Sequence, residues 1–161
     1  MGHSLVYPIT DQNNAARGIQ MKVFYRPEQV ARTSSFSPSA LKPRLMVEDW
    51  LKRTELSIEV LSFESATPEQ LMLAHDAAFV RGVLACEIQN GFGNGDATVA
   101  ASLPFTTGSM VAAAEHAVLH RQAVCSPTSG FHHAGYNSAE GFCTFNGLMV
   151  TAKVISRFEL A

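Results

Sequence analysis

At 161 residues and 47% hydrophobic composition, the chain is long enough to bury one core and too short for two. Its formal charge of −2, from 12 basic and 14 acidic residues without a charge run, leaves no electrostatic footprint for nucleic acid or an anionic membrane surface. Cys86, Cys125 and Cys143 are widely spaced and odd in number, which fits reduced thiols in a cytoplasmic protein better than a disulfide framework or a metal-type cysteine pattern.

Residues 1–20 carry Asp11-Gln12-Asn13-Asn14 without a clear period and read as an irregular arm ahead of one α/β domain over 21–161. The first residues lack the basic and apolar regions of a secretory leader, and the apolar runs elsewhere fall short of a membrane span. Met21 to Tyr25 is a short β-rich run, closed by Arg26-Pro27 because proline cannot donate to a ladder. After a Ser-rich loop over 33–39, Pro43 opens a helix whose stripe of Leu45, Met46, Trp50 and Leu51 predicts packing of that helix on the sheet.

Leu56 to Phe63 alternates apolar and polar residues, the period of a strand with one face partly wet, and therefore of an edge strand. Thr67 caps a helix at Pro68 that runs on through Leu71, Ala74, Ala78 and Val83 toward Ile88, with His75 as a capped or solvated side chain. Asn90-Gly91-Phe92-Gly93-Asn94-Gly95 is a loop with positive backbone dihedrals, and an aromatic among glycines suits the wall of a slot. Thr107-Gly108-Ser109 opens an alanine-rich helix; His116 and His120, four apart on its wet side, lack the companions of a metalloprotease helix and read as structural. A strand over 123–126 and a last helix over roughly 145–155 complete the order. Strands alternating with helices argue for an α/β, three-layer, mostly parallel sheet.

Chemistry concentrates between those last two elements. Ser129-Gly130-Phe131-His132-His133-Ala134 sets two adjacent imidazoles where a strand ends and a loop begins. Neighbours on extended backbone point to opposite faces, so His132 and His133 can serve one pocket only if the chain bends there, which Gly130 eases. Such a pair can act as general base and acid near neutral pH. The simpler alternative is a surface loop with two solvated histidines.

Gly130-Phe131-His132-His133-Ala134, followed by Gly141-Phe142-Cys143-Thr144-Phe145-Asn146, resembles the active-site segment of the histone deacetylase superfamily, which includes acetylpolyamine and acetoin-utilisation amidohydrolases. Pro68-Glu69-Gln70-Leu71 with His75-Asp76-Ala77-Ala78-Phe79-Val80, and Asn90-Gly91-Phe92-Gly93-Asn94, agree with that family in order. The resemblance implies a partial arginase/deacetylase-like sheet whose first three strands lie side by side, the third facing the rest.

It also implies a zinc-dependent amidohydrolase acting on acetylated lysine or acetylated amines, with His132 and His133 handling protons. Phe92 and Phe142 would form facing walls of a narrow acyl channel beside Gly141, and Asp96 would be a rim acid. The family's zinc is held by residues of an Asp-x-Asp-x-His-His-Gly-type motif and a later Asp, with a Tyr polarising the carbonyl. None of these occurs before the chain ends at Ala161, so the expectation is an N-terminal half that binds no zinc and is inactive alone. A bare apolar edge on the third strand would then invite a second copy, or a complementary C-terminal half. The alternative is a non-catalytic oligomeric or ligand-binding domain derived from a deacetylase.

Overall fold

Met21–Phe24 (β1) lies between two parallel neighbours, Ile58–Leu61 (β2) on one side and Val124–Cys125 (β3) on the other, so the sheet order is β2-β1-β3. The computed structural model describes residues 20–157 except Ser34 and Phe36; the arm expected over residues 1–20 lies, apart from Gln20, outside them. Val23 pairs with Val60 and with Cys125, which fixes the register across all three strands. β2 is an edge strand, as expected, but its alternation does not set its faces, since apolar Val60 is 39% exposed while Glu59 is only partly so. The other edge belongs to β3, which among the described residues pairs with β1 alone.

Lys42–Lys52 (α1) follows β1, and Pro43 stands in its first turn, where its missing N–H costs nothing. Its expected inward stripe is corrected. Leu45, Met46 and Leu51 are 49, 40 and 61% exposed, Trp50 is half-buried, and Pro43 and Val47 are the buried contacts. The helix lies against the 3-10 turn Pro38–Ala40 that precedes it.

The single helix expected from Pro68 to Ile88 is two. Thr67 and Gln70 form the reciprocal capping box of Pro68–Leu71 (α2), which ends after one turn, and Asp76 then caps Ala77–Leu84 (α3) through the N–H groups of Ala78 and Phe79. An acceptor side chain at Asp76 restarts the helix because it satisfies two donors that a continuous helix would have bonded itself.

Ala97–His120 (α4) is the spine of the molecule, 24 residues long and ten residues earlier in its start than Thr107. Asp96 caps it, and Pro104 sits inside it while its carbonyl accepts from Ala66 N–H at 2.9 Å. By length and composition α4 is apolar enough to cross a membrane, contrary to expectation, but 56% of its most apolar window is buried inside the fold, as in a core helix. One side of α4 meets the sheet through Phe24, Phe63 and Ala113. The larger core joins α4 to α2, α3 and Gly147–Ile155 (α5) through Leu71, Phe79, Val83, Leu103, Phe145 and Val150. The result is a three-stranded parallel sheet flanked by helices.

Candidate functional site

The chain leaves β3 under firm control. Ser109 on α4, fully buried, donates to the Phe24 carbonyl at 2.6 Å and lies 2.7 Å from the Ser126 hydroxyl, which tethers the β3 exit to β1. Beyond it, Ala134 N–H donates to Phe131 O at 3.2 Å and closes a tight turn whose two central residues are His132 and His133. This is how adjacent side chains come to share a side: their rings stack with centroids 4.2 Å apart at 38°. The bend is not made by Gly130. Phe131 itself takes the left-handed φ of 56°, while a Cβ on Gly130 would meet the Leu148 side chain at 2.8 Å and make it shift. Both imidazoles are exposed.

Gly141 stands against them. Its φ is +55°, and a Cβ on it would lie 3.2 Å from the His133 ring. Phe142 also has a left-handed φ, 63°, and its N–H donates to Gly91 O at 3.0 Å. Gly91 N–H in turn donates to Thr144 Oγ1 at 2.9 Å, and a Cβ on Gly91 would fall 2.6 Å from the Cys143 backbone. The 90–95 loop is thus stitched directly to the 141–144 segment. Of its glycines, Gly93 takes a positive φ; Gly91 serves close approach instead. Asp96, expected at a rim, is the α4 cap, with its carboxyl held below the usual range by hydrogen bonds to Thr98.

Phe92 and Phe142 are neighbours rather than facing walls. Their rings touch with centroids 5.7 Å apart at 52°, and together with Phe131 they line one side of a cavity of about 240 Å3. Gln29, Met46 and Thr106 contribute to the remaining walls. His132 and His133 are not among the residues that line this cavity, although Phe131 beside them is.

One residue of the site, expected as a capped or solvated side chain, is buried and bonded instead. His75, in the break between α2 and α3, is 1% exposed. Its Nε2 accepts from the N–H of Asn146 at 2.8 Å and its Nδ1 meets the Tyr136 carbonyl at 3.2 Å, which places the ring proton on Nδ1. Tyr136 O also accepts from Asp76 N–H, and Asn146 Nδ2 donates to Ala134 O. His75 therefore clasps the 134–146 loop that follows the histidine pair. Burial lowers its pKa, against the opposing pull of its backbone hydrogen bonds to Tyr136 and Gly135.

A catalytic zinc asks for three protein ligands and an open position. Among the described residues no group of three or more His, Cys, Asp or Glu is placed to hold a metal ion, and the stacked His132–His133 pair gathers no carboxylate or thiol. These residues do not fit that ion. His116 and His120 also stack, at 4.2 Å, but His116 leans half-buried on Phe24 and again no third donor joins them.

No curated protein matches the chain. Among solved structures it is similar to the crystal structure of the HDA15 HD domain, with a TM-score of 0.71 and 15% identity over 87% of this chain and 44% of that one. At such identity the likeness establishes the fold, and the chain spans less than half the length of that structure. The family model of the histone deacetylase domain matches residues 27–160, nearly the whole of what the fold comprises. The chain belongs to the histone deacetylase domain family.

Proposed function

We propose that this chain is the proton-handling portion of a deacetylase-type amidohydrolase acting on acetylated lysine or acetylated small amines. The observation that carries the reading is the His132–His133 stack on a turn beside Gly141 and Phe142. An amide is cleaved when a base takes a proton from attacking water and an acid returns one to the departing amine. Two imidazoles a ring's width apart are suited to those roles. Gly141, with no side chain, lets the backbone pack against the His133 ring, and the Phe92–Phe142 wall offers apolar contact to an acyl group.

The described residues supply no ligand set for a Lewis acid, so the chain by itself is read as inactive, its site completed by a second copy or by a complementary chain carrying the remainder of such a domain. Three free cysteines support a reducing compartment, the cytoplasm. A scattered charge of −2 supports neither nucleic-acid nor membrane partners.

The exposure of both imidazoles favours a second reading, a deacetylase-derived binding domain without catalysis. One titration separates the possibilities. Adding Nε-acetyl-lysine to the purified chain should perturb the NMR signals of His132, His133 and Phe142 without releasing acetate. Acetate release by the chain alone would overturn the claim of incompleteness, and unmoved signals would overturn the site. Recovery of turnover on adding a complementary deacetylase half would favour the enzyme over the binding domain.

A further inference from the structure

The smaller core, where α4 meets the sheet, is closed at one end by a histidine rather than by an apolar side chain. The His116 ring lies 5.5 Å from the Phe24 ring at 55° and 4.2 Å from the His120 ring at 39°. Phe24 is 6% exposed and packs with Phe63, Ala113 and the partly buried Val124 of β3. Nε2 of His116 is buried and has no hydrogen-bond partner among the described residues.

A neutral imidazole fits this place by carrying its proton on Nδ1 and leaving the buried nitrogen as an unused acceptor. Imidazolium has a proton on both nitrogens, so charging the ring sets a donor where the fold offers no acceptor and withdraws a cation from water. The surrounding charges divide. His120 on the same helix and Lys22 on β1 oppose the cation, whereas the Gln122 side chain beyond α4 and Glu59 on β2 favour it. Glu115 on α4 and Glu64 after β2 line the same open hollow as His116 and His120. Burial is the leading cause, and it lowers the pKa of His116 from its ordinary value of 6.5.

The contact sits where α4 turns back into the sheet. Arg121 ends the helix with a left-handed φ of 51°, and Val124 then pairs with Lys22 to begin β3. We propose that His116 is a pH-sensitive fastener: neutral, it pins the last turn of α4 to Phe24 of β1, and protonated, it slackens that hold so that the connection from α4 to β3 opens more often. The device is independent of the acyl-binding reading and stands whether or not the chain binds an acetylated amine.

NMR of the full chain from pH 8 to pH 5 tests it, following the His116 and Phe24 ring signals and amide exchange over residues 117–121. The His116 ring should titrate with a midpoint below 6.5, and the Phe24 ring should shift with the same midpoint. Relative to its intrinsic rate at each pH, exchange over 117–121 should speed up on acidification, by about tenfold for each unit that the midpoint lies below 6.5. His116→Phe, which keeps an aromatic ring on Phe24 but cannot titrate, should abolish that gain and leave the titration of His75 in place. The readouts on the unaltered protein stand even if the variant fails to fold. A His116 midpoint at or above 6.5, exchange over 117–121 that keeps its intrinsic pH dependence, or a gain that survives His116→Phe would overturn the inference.

Discussion

The backbone N–H of Asn146 donates to Nε2 of His75 at 2.8 Å, joining the break between α2 and α3 to the start of α5 across 71 positions of sequence. The bond has a defined sense, because Nδ1 holds the proton for Tyr136 O and leaves Nε2 free to accept. Replacing His75 by Phe keeps the aromatic contacts with Phe79 and Phe145 and orphans the Asn146 N–H. An unmade buried bond of that kind costs about 1–3 kcal/mol. Urea denaturation should show a loss of that size for His75→Phe, together with faster amide exchange at Asn146 than at the core positions of α4. A variant as stable as the parent would remove His75 from its role as the loop's clasp.

The same ring sets a pH dependence. Its pKa in the fold lies below the ordinary value of 6.5 because burial disfavours the cation. Between the folded and unfolded values the unfolded chain binds more protons, so stability is constant above about pH 6.5 and falls as pH drops below it. Glu115, whose carboxyl is raised by burial, works in the opposite sense in the more acidic carboxylate range, where stability is lost as pH rises. Thermal melts from pH 8 to pH 5 should therefore decline on the acid side, and His75→Phe should flatten the decline. A parent profile that rises toward pH 5 would contradict the assignment.

Two glycines should respond unequally to alanine. A Cβ on Gly108 would fall 2.7 Å from Ala66 N and from Glu64 O, backbone atoms that cannot step aside without parting α4 from the chain after β2. Gly93 has open space but a φ of +74°, so alanine there meets strain alone. Gly108→Ala should cost about 3 kcal/mol and Gly93→Ala roughly 1 kcal/mol, as measured by chemical denaturation. The reverse order would mean that α4 can slide.

β3 leaves one edge unpaired among the described residues, and Leu119 and Leu148 are 73 and 52% exposed on the adjoining helices α4 and α5. A bare parallel edge is a template for another chain. Light scattering of the purified protein at micromolar concentration should give at least the mass of a dimer. A stable, well-folded monomer would count against the proposed self-association.

The elements that announced themselves in sequence did so through local chemistry. Thr67-Pro68 marked a cap, Pro43 a first turn, and Leu56 to Phe63 an edge strand by alternation. What stayed hidden depended on tertiary partners. The first ten residues of α4 were illegible because Pro104 argues against a helix and because a helix buried on several sides shows little amphipathic period. The break at His75 was invisible because its cause, the acceptor sites of Tyr136 and the N–H of Asn146, lies more than sixty residues away. At the site, the motif resemblance set His132, His133, Gly141 and Phe142 in one segment, and the structure brings Gly141 against the His133 ring. That Phe92 would lean on Phe142 could not be foreseen, because it follows from Gly91 meeting the 141–144 backbone.

Left-handed backbone at Phe131 and Phe142 carries a lesson for anyone redesigning this loop. Glycine at either position would relax the turn and ease folding, yet it would strip an aromatic plate from the cavity wall. Here foldability and an intact cavity wall pull in opposite directions: a screen that rewards thermal tolerance alone would drift toward a sturdier molecule with a barer cavity.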